Sequence, residues 1–259
     1  MITFCPLASG SKGNCLYLGT PGARILIDVG LSAKITLQRL AEIGVSYQDI
    51  DAIFISHEHG DHIQGLPGLL KLKDVPVITN SGTAKALAHE LDISPRFKLF
   101  TTDEPFHFQG LDVLPFSIQH DTVDPVAFTF EIKGVKIGVC TDLGFATTLV
   151  EHHLRGAHML YLESNHEPAM VHASSRPPVY KQRVLSRSGH LSNEEASLLV
   201  SRLLHEGLTK LYLAHLSSEC NSPEKALSTL HHTLQSRIQN LQVSIAYQDK
   251  LSEVFHVTA

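Results

Sequence analysis

The sequence predicts an α/β protein built on two mixed β-sheets with helices outside. Three observations carry this. Short apolar runs of strand character recur along the whole chain of 259 residues. Many of them are joined by short turns rather than by helices, which argues against a doubly wound parallel sheet. Helical periodicity nevertheless interrupts the series, most clearly after Ser192. With 43% hydrophobic and 18% charged residues, the chain can bury a large core. It reads as one large domain, or two small ones at most, and not as a disordered chain.

In chain order, Ile2–Leu7, Leu16–Leu18, Ile25–Ile27 and Ala52–Ile55 read as strands separated by Gly, Ser and Pro. Ser32 suits the cap of a helix with Leu37, Leu40 and Ala41 on one face. Leu66–Leu72 and Thr83–Leu91 look helical, with a strand at Val75–Thr79 between them. Strand character returns at Val113–Phe116, Val126–Ile132 and Val135–Thr141, with Gly134 marking a hairpin. Met159–Leu162 is a further strand, followed by a polar, proline-bearing stretch to about Tyr180. Ser192 and Glu195 form a capping box, and Ala196, Leu199, Val200, Leu203 and Leu204 follow at helical spacing. A strand at Lys210–Ala214, a helix opened by Ser222–Pro223 and a final strand through Val243, Ile245 and Tyr247 complete the series.

Composition narrows the function. No apolar run approaches the roughly 20 residues of a membrane span. Met1–Leu7 lacks the basic-then-apolar pattern of a secretory signal. Cys5, Cys15, Cys140 and Cys220 lie far apart and read as reduced thiols, so a cytoplasmic protein is expected. A net charge of −5 argues against coating nucleic acid by bulk charge. The unusual figure is 17 histidines beside 3 methionines and no tryptophan.

Some of those histidines are ordered. Ser56-His57-Glu58-His59-Gly60-Asp61-His62 follows a buried-looking strand directly. Imidazoles and carboxylates at this density are the ligands that first-row divalent metals accept. His57 and His59, two apart, point the same way in extended chain, and Asp61 and His62 can turn toward a second ion. One loop cannot close two sites. His120, Asp142 and His215 each follow an apolar strand, as His57 does, and supply the remaining candidates.

This order, H-x-H-x-D-H followed by His, Asp and His, resembles the metallo-β-lactamase superfamily over nearly the whole chain, about Met1 to Ala259. The resemblance implies a single domain over residues 1–259 with an αββα sandwich and two metals at the sheet edge. It implies one ion held by His57, His59 and His120, a second by Asp61, His62 and His215, and Asp142 bridging them. Ile25-Leu26-Ile27-Asp28-Val29-Gly30 looks like the family's second-strand aspartate motif, with Asp28 orienting a ligand histidine or its loop. Ser9-Gly10-Ser11-Lys12-Gly13-Asn14 reads either as a loop offering backbone N–H groups to an anion or as a plain hairpin loop.

Three features choose among the superfamily's chemistries. An aspartate bridge and a complete second site suit an anionic phosphodiester better than a neutral lactam. Ser188-Gly189-His190-Leu191-Ser192-Asn193 resembles the segment of tRNA 3′-processing relatives whose histidine protonates the leaving oxygen, held by a glutamate for which Glu163 is the match. Pro168 to Asn193 contains no Asp or Glu yet holds Arg176, Lys181, Arg183 and Arg187, a strip able to meet phosphates. Ser9-Gly10-Ser11-Lys12-Gly13-Asn14, Glu163-Ser164-Asn165-His166-Glu167 and Gly189-His190-Leu191-Ser192-Asn193 together look most like the YycJ/WalJ-type subgroup, which implies 5′-to-3′ exonuclease action on double-stranded DNA. The expected chemistry is attack on phosphorus by a hydroxide held between two ions (Zn²⁺ or Mn²⁺, with Fe²⁺ also compatible), with His190, Glu163 and Asp61 as catalytic residues. Asn14, Asn165, Lys181, Arg183 and Arg187 are the expected substrate contacts. DNA is favoured over RNA as the partner. The alternative within the superfamily is a glyoxalase II-like thioesterase, and outside enzymes a metal-stabilised scaffold.

Overall fold

Strand alternation decides the layering. In β1 (Ile2–Ala8), Ile2 and Phe4 enter one core while Cys5 and Leu7 enter another. A strand buried on both faces must lie between two layers. The computed structural model describes residues 1–91, 95–238 and 240–257. Its first half continues with β2 (Cys15–Gly19), β3 (Arg24–Val29), α1 (Ala33–Glu42), β4 (Ala52–Phe54), α2 (Gly60–Ile63), α3 (Leu66–Leu72), β5 (Val77–Asn80), α4 (Ser81–Glu90) and β6 (Phe97–Phe100). Next come β7 (Phe106–Phe108), β8 (Leu111–Ser117), β9 (Val126–Ile132), β10 (Val135–Cys140), α5 (Thr148–Leu154), β11 (Met159–Glu163), α6 (Pro168–Ala173) and α7 (Pro178–Val184). The series closes with α8 (Asn193–Leu203), β12 (Lys210–Ala214), α9 (Pro223–Leu234), β13 (Gln242–Ile245) and β14 (Phe255–Val257).

Two seven-stranded sheets result, ordered β14-β1-β2-β3-β4-β5-β6 and β13-β12-β11-β10-β9-β8-β7. In each, antiparallel pairing gives way to parallel pairing, at β3–β4 in one and β10–β11 in the other. Phe4, Phe54, Phe128, Phe130, Tyr161 and Tyr212 fill the space between the sheets. The Phe54 ring lies 5.6–6.2 Å from those of Phe106, Phe108, Phe128 and Phe130, joining strands of both sheets. Leu40, Leu66, Leu69 and Leu87 of α1, α3 and α4 cover the outer face of the first sheet. Val150, Leu199, Val200, Leu230 and Leu234 of α5, α8 and α9 cover the second. This is the expected αββα sandwich.

Local chemistry explains the element ends. Ser32, Ser192 and Ser222 cap α1, α8 and α9, with both halves of the capping box formed at Ser192 and Glu195. Lys133 and Gly134 both have positive φ and link β9 to β10 by a two-residue turn. Two expectations are corrected. The stretch after Asn165 holds α6 and α7, each opened by a proline at its start. The final strand is not the one at Val243–Tyr247. That strand ends at Ile245, and β14 then crosses to pair with β1 in the other sheet. β6, β7 and α5, for which no expectation was formed, complete the edges and the outer layer. No helix among the described residues is long and apolar enough to cross a membrane.

Candidate active site

Asp28, His57, His120, Asp142, Glu163 and His215 all stand at or just beyond the carboxyl ends of strands, where loops from both sheets meet. Parallel strands commonly present their ligand-binding residues at this end. At three of these ends the chain leaves the strand through left-handed backbone: Asp28 at φ +57°, Asp142 at +59° and His215 at +52°. Asp and His tolerate this region better than most residues. Each such residue still costs about 1–3 kcal/mol and persists only where its surroundings hold it. Here the holding contacts are those of the site.

The donor atoms cluster closely. One ligating atom from each of His57, His59 and His120 lies within 4.8 Å of the others, and the same holds for His57, His62 and Asp142. His59 Nδ1 and His120 Nε2 are 3.1 Å apart. That is close to the spacing of two nitrogens about 2.0–2.1 Å from a shared tetrahedral ion. His62 Nε2 lies 3.3 Å from Asp142 Oδ2 and 3.7 Å from Asp61 Oδ2. His215 Nε2 lies 3.9 Å from Asp61 Oδ2, and its Nδ1 lies 2.9 Å from Asp142 Oδ1. All seven residues expected from the sequence are therefore brought together.

Partners on the far side of each ring fix its orientation. The Asp28 carboxylate accepts from Ser56 N at 2.9 Å and Ser56 Oγ at 2.8 Å, and stands 2.8 Å from His62 Nδ1. Ser56 Oγ is also 2.9 Å from His57 Nδ1. His120 Nδ1 meets the Gly189 carbonyl at 3.2 Å. Each contact occupies Nδ1 and leaves Nε2 to the cleft, the arrangement that prepares imidazole as a ligand. The Asp61 loop rests on Gly30, where a Cβ would fall 1.6 Å from the Asp61 carbonyl oxygen, so only glycine fits.

The electrostatics suit a cation. Burial holds His57 well below the ordinary imidazole range and lowers His120, keeping their lone pairs free. Burial also opposes a charge on His62, but the carboxylates of Asp28, Asp142 and Asp61 raise it well above that range. His215 is likewise raised, to about 9, by Asp142, Glu163 and Asp61 against the effect of burial. Burial works against ionisation of Asp142, yet His215 and His62 hold it well below the carboxylate range. Positive charge is thus stabilised at the place where the ligands converge. His57 Nε2 is buried without a hydrogen-bond partner among the described residues. Such atoms cost about 1–3 kcal/mol each when unmatched. That orphaned nitrogen and a set of five imidazoles and two carboxylates fit divalent metal ions.

Beside this cluster stands a second arrangement. Glu163 is fully buried at the end of β11. Its Oε1 is 2.8 Å from His190 Nδ1, while Oε2 accepts from Leu143 N at 3.1 Å and Leu191 N at 3.0 Å. His190 shares with Ser11, His59, Asp61, His120, Asp142, Arg183 and His215 a cavity of about 200 Å³.

The expected substrate contacts divide. Asn14 and Asn165 are corrected to internal braces, because both are buried and their amides are engaged within the protein. Asn14 Nδ2 reaches Asp61 Oδ2 at 3.2 Å and His62 Nε2 at 3.0 Å, and Asn165 Nδ2 donates to the His215 carbonyl at 2.7 Å. Arg183 lines the cavity but is paired with Asp121 at 2.5 and 3.1 Å. Lys181 donates to the His172 carbonyl, Arg187 lies 4.0 Å over the Phe145 ring, and Arg176 pairs with Glu219. The Ser9–Asn14 loop is not an open anion nest. Its Gly10, Lys12, Gly13 and Asn14 amides donate to Asn14 Oδ1, Gln248 Oε1, the Gly10 carbonyl and the Asp61 carbonyl. Ser9 Oγ instead ties Tyr161 to the His215 amide. Sequence reasoning passed over Asp121 and gave Ser11 and Ser56 no role of their own at the site. Only the adjacency of Asp121 to His120 and of Ser56 to His57 could have pointed to two of them.

A family model described as the Beta-lactamase superfamily domain matches residues 23–215, a span containing every donor above. The chain belongs to the beta-lactamase superfamily. It is 33% identical over 236 residues to Exodeoxyribonuclease YycJ of Bacillus anthracis, covering 90% of this chain and 89% of that one. It is 32% identical over 258 residues to Exodeoxyribonuclease WalJ of Streptococcus pneumoniae, covering 98% and 94%. The crystal structure of the metallo-beta-lactamase fold protein YhfI from Bacillus subtilis superposes with a TM-score of 0.76 at 17% identity, covering 98% of each chain, which shows the shared fold. With family and donor set agreeing, the protein is a metal-dependent hydrolase.

Proposed function

We propose that the protein is a two-metal exodeoxyribonuclease that removes nucleotides from the 5′ ends of double-stranded DNA. The observation that carries this reading is the His190–Glu163 pair on the rim of the metal cavity. A nucleotide alkoxide is a poor leaving group and needs a proton, whereas a thiolate does not. Similarity to two exodeoxyribonucleases over nearly the whole chain supports DNA as the substrate.

His57, His59 and His120 would hold one ion, Asp61, His62 and His215 the other, and Asp142 both. Zn²⁺, Mn²⁺ and Fe²⁺ all suit such nitrogen and oxygen donors. When bound, the ions polarise the phosphoryl group and make water nucleophilic near neutral pH. The chain's own groups do the rest. Asp28, Ser56 and the Gly189 carbonyl keep three ligand rings turned inward, so the site needs little reorganisation during reaction. His190 delivers a proton from Nε2 to the leaving oxygen, and Glu163, a positioning residue, holds the ring and balances its charge. Arg183, paired with Asp121, lines the cavity wall. Four free, buried cysteines suit a reducing cytoplasm.

The test is metal-loaded protein incubated with 5′- and 3′-labelled duplex DNA, single strands and RNA. Mononucleotides released from the 5′ label of the duplex, and abolished by EDTA, are expected. Inertness toward all nucleic acids beside brisk hydrolysis of S-lactoylglutathione would overturn the reading.

A further inference from the structure

A second cavity, of about 330 Å³, opens beside the metal cavity. Among the described residues, His190 is the one that lines both. The chemistry of the second cavity is different. Phe145 and Arg187 both line it as a stacked pair, the guanidinium 4.0 Å over the ring. The pair is held by its backbone: a Cβ on Gly144 would fall 2.1 Å from the Arg187 carbonyl oxygen, so the two loops touch directly. Glu194 and Glu195 stand on another wall and disfavour a phosphate. His166 also lines the cavity, is 2% exposed, and has a buried Nδ1 without a hydrogen-bond partner.

We propose that this cavity is a nucleobase subsite that receives the base of the departing nucleotide. Planar aromatic and guanidinium surfaces stack on any base, which suits a nuclease that removes nucleotides without regard to sequence. Glu194 can accept from an amino group on a base edge. The assignment to the departing side follows from His190, which gives its proton to the leaving oxygen and so faces the nucleoside that leaves. Removal of a 5′-terminal nucleotide by cleavage of its P–O3′ bond puts that terminal base in this cavity. The inference rests on the nuclease reading for the identity of the occupant, and its test is separable from it.

Calorimetry on metal-loaded protein compares deoxyadenosine 3′-monophosphate, whose phosphate sits on the O3′ that departs, with deoxyribose 3-phosphate, which carries the same phosphate and no base. The nucleotide should bind about 5- to 150-fold more tightly, the range expected for one stacked base. Phe145→Ala and, separately, the surface change Arg187→Ala should each reduce that preference. Equal affinity for the two ligands, or a preference that survives in both variants, would refute the subsite. A base preference in a protein that digests no DNA would support the subsite and overturn the exonuclease reading. Digestion of DNA without a base preference would do the reverse.

Discussion

Glu163→Gln separates shape from charge at the proposed proton donor. Oε2 of Glu163 accepts from two backbone amides, Leu143 at 3.1 Å and Leu191 at 3.0 Å. In the variant only the carbonyl oxygen of the glutamine can take that place. Its NH₂ group then faces His190 Nδ1, which is 2.8 Å from the present oxygen. Volume and both backbone bonds survive, so the fold should too. One charge-assisted hydrogen bond is lost, worth about 1.5–3 kcal/mol. If that bond acts in the transition state, kcat falls by about 10- to 150-fold. His190→Ala removes the donor itself and should cost about 10²–10⁴. Both variants should be assayed on duplex DNA and on bis-p-nitrophenyl phosphate, whose nitrophenolate departs without a proton. The losses should fall mainly on DNA. Equal losses on both substrates, or DNA cleavage by His190→Ala at the wild-type rate, would refute the assignment.

Three further outcomes follow from the packing and electrostatics. His215 is raised to about 9 in the folded chain, above the ordinary imidazole value near 6.5. Metal-stripped protein should therefore lose the stability His215 contributes as pH rises from about 6.5 toward 9; a Tm series in EDTA that climbs over this window would contradict the charge pattern. Asp28→Asn weakens the hold on His62 and Ser56 and should lower metal affinity by about 10- to 100-fold, read by competition with a chelating dye. Phe54→Ala removes the contacts of Phe54 with four other phenylalanine rings between the sheets and should cost about 3–5 kcal/mol in chemical denaturation, with little change in metal affinity per folded molecule.

The metal cluster was legible because its signals are local. His57, His59, Asp61 and His62 sit in one short segment, and His120, Asp142 and His215 each follow an apolar run that alternation marks as a strand. Layering was legible for the same reason, since β1, β3, β11 and β12 are apolar on both faces. What escaped depends on distant partners. A polar side chain near a site reads alike whether it faces substrate or braces a ligand. Asn14 and Asn165 went inward because Asp61, His62 and the His215 carbonyl lie across the fold from them in sequence. The charge of Arg183 is answered by Asp121, 62 residues away. The edge strands β7 and β14 have three residues each, too few for alternation to show, and β14 is defined by pairing with the opposite end of the chain. The left-handed backbone at Asp28, Asp142 and His215 carries no sequence signature beyond residue type.

Metal stoichiometry on the intact protein tests the core of this account most directly. Native mass spectrometry after reconstitution with Mn²⁺ or Zn²⁺ should find two ions per chain, with occupancy reduced in Asp142→Ala. A wild-type chain that retains no divalent ion, or one whose full complement is unaffected by loss of Asp142, would contradict it.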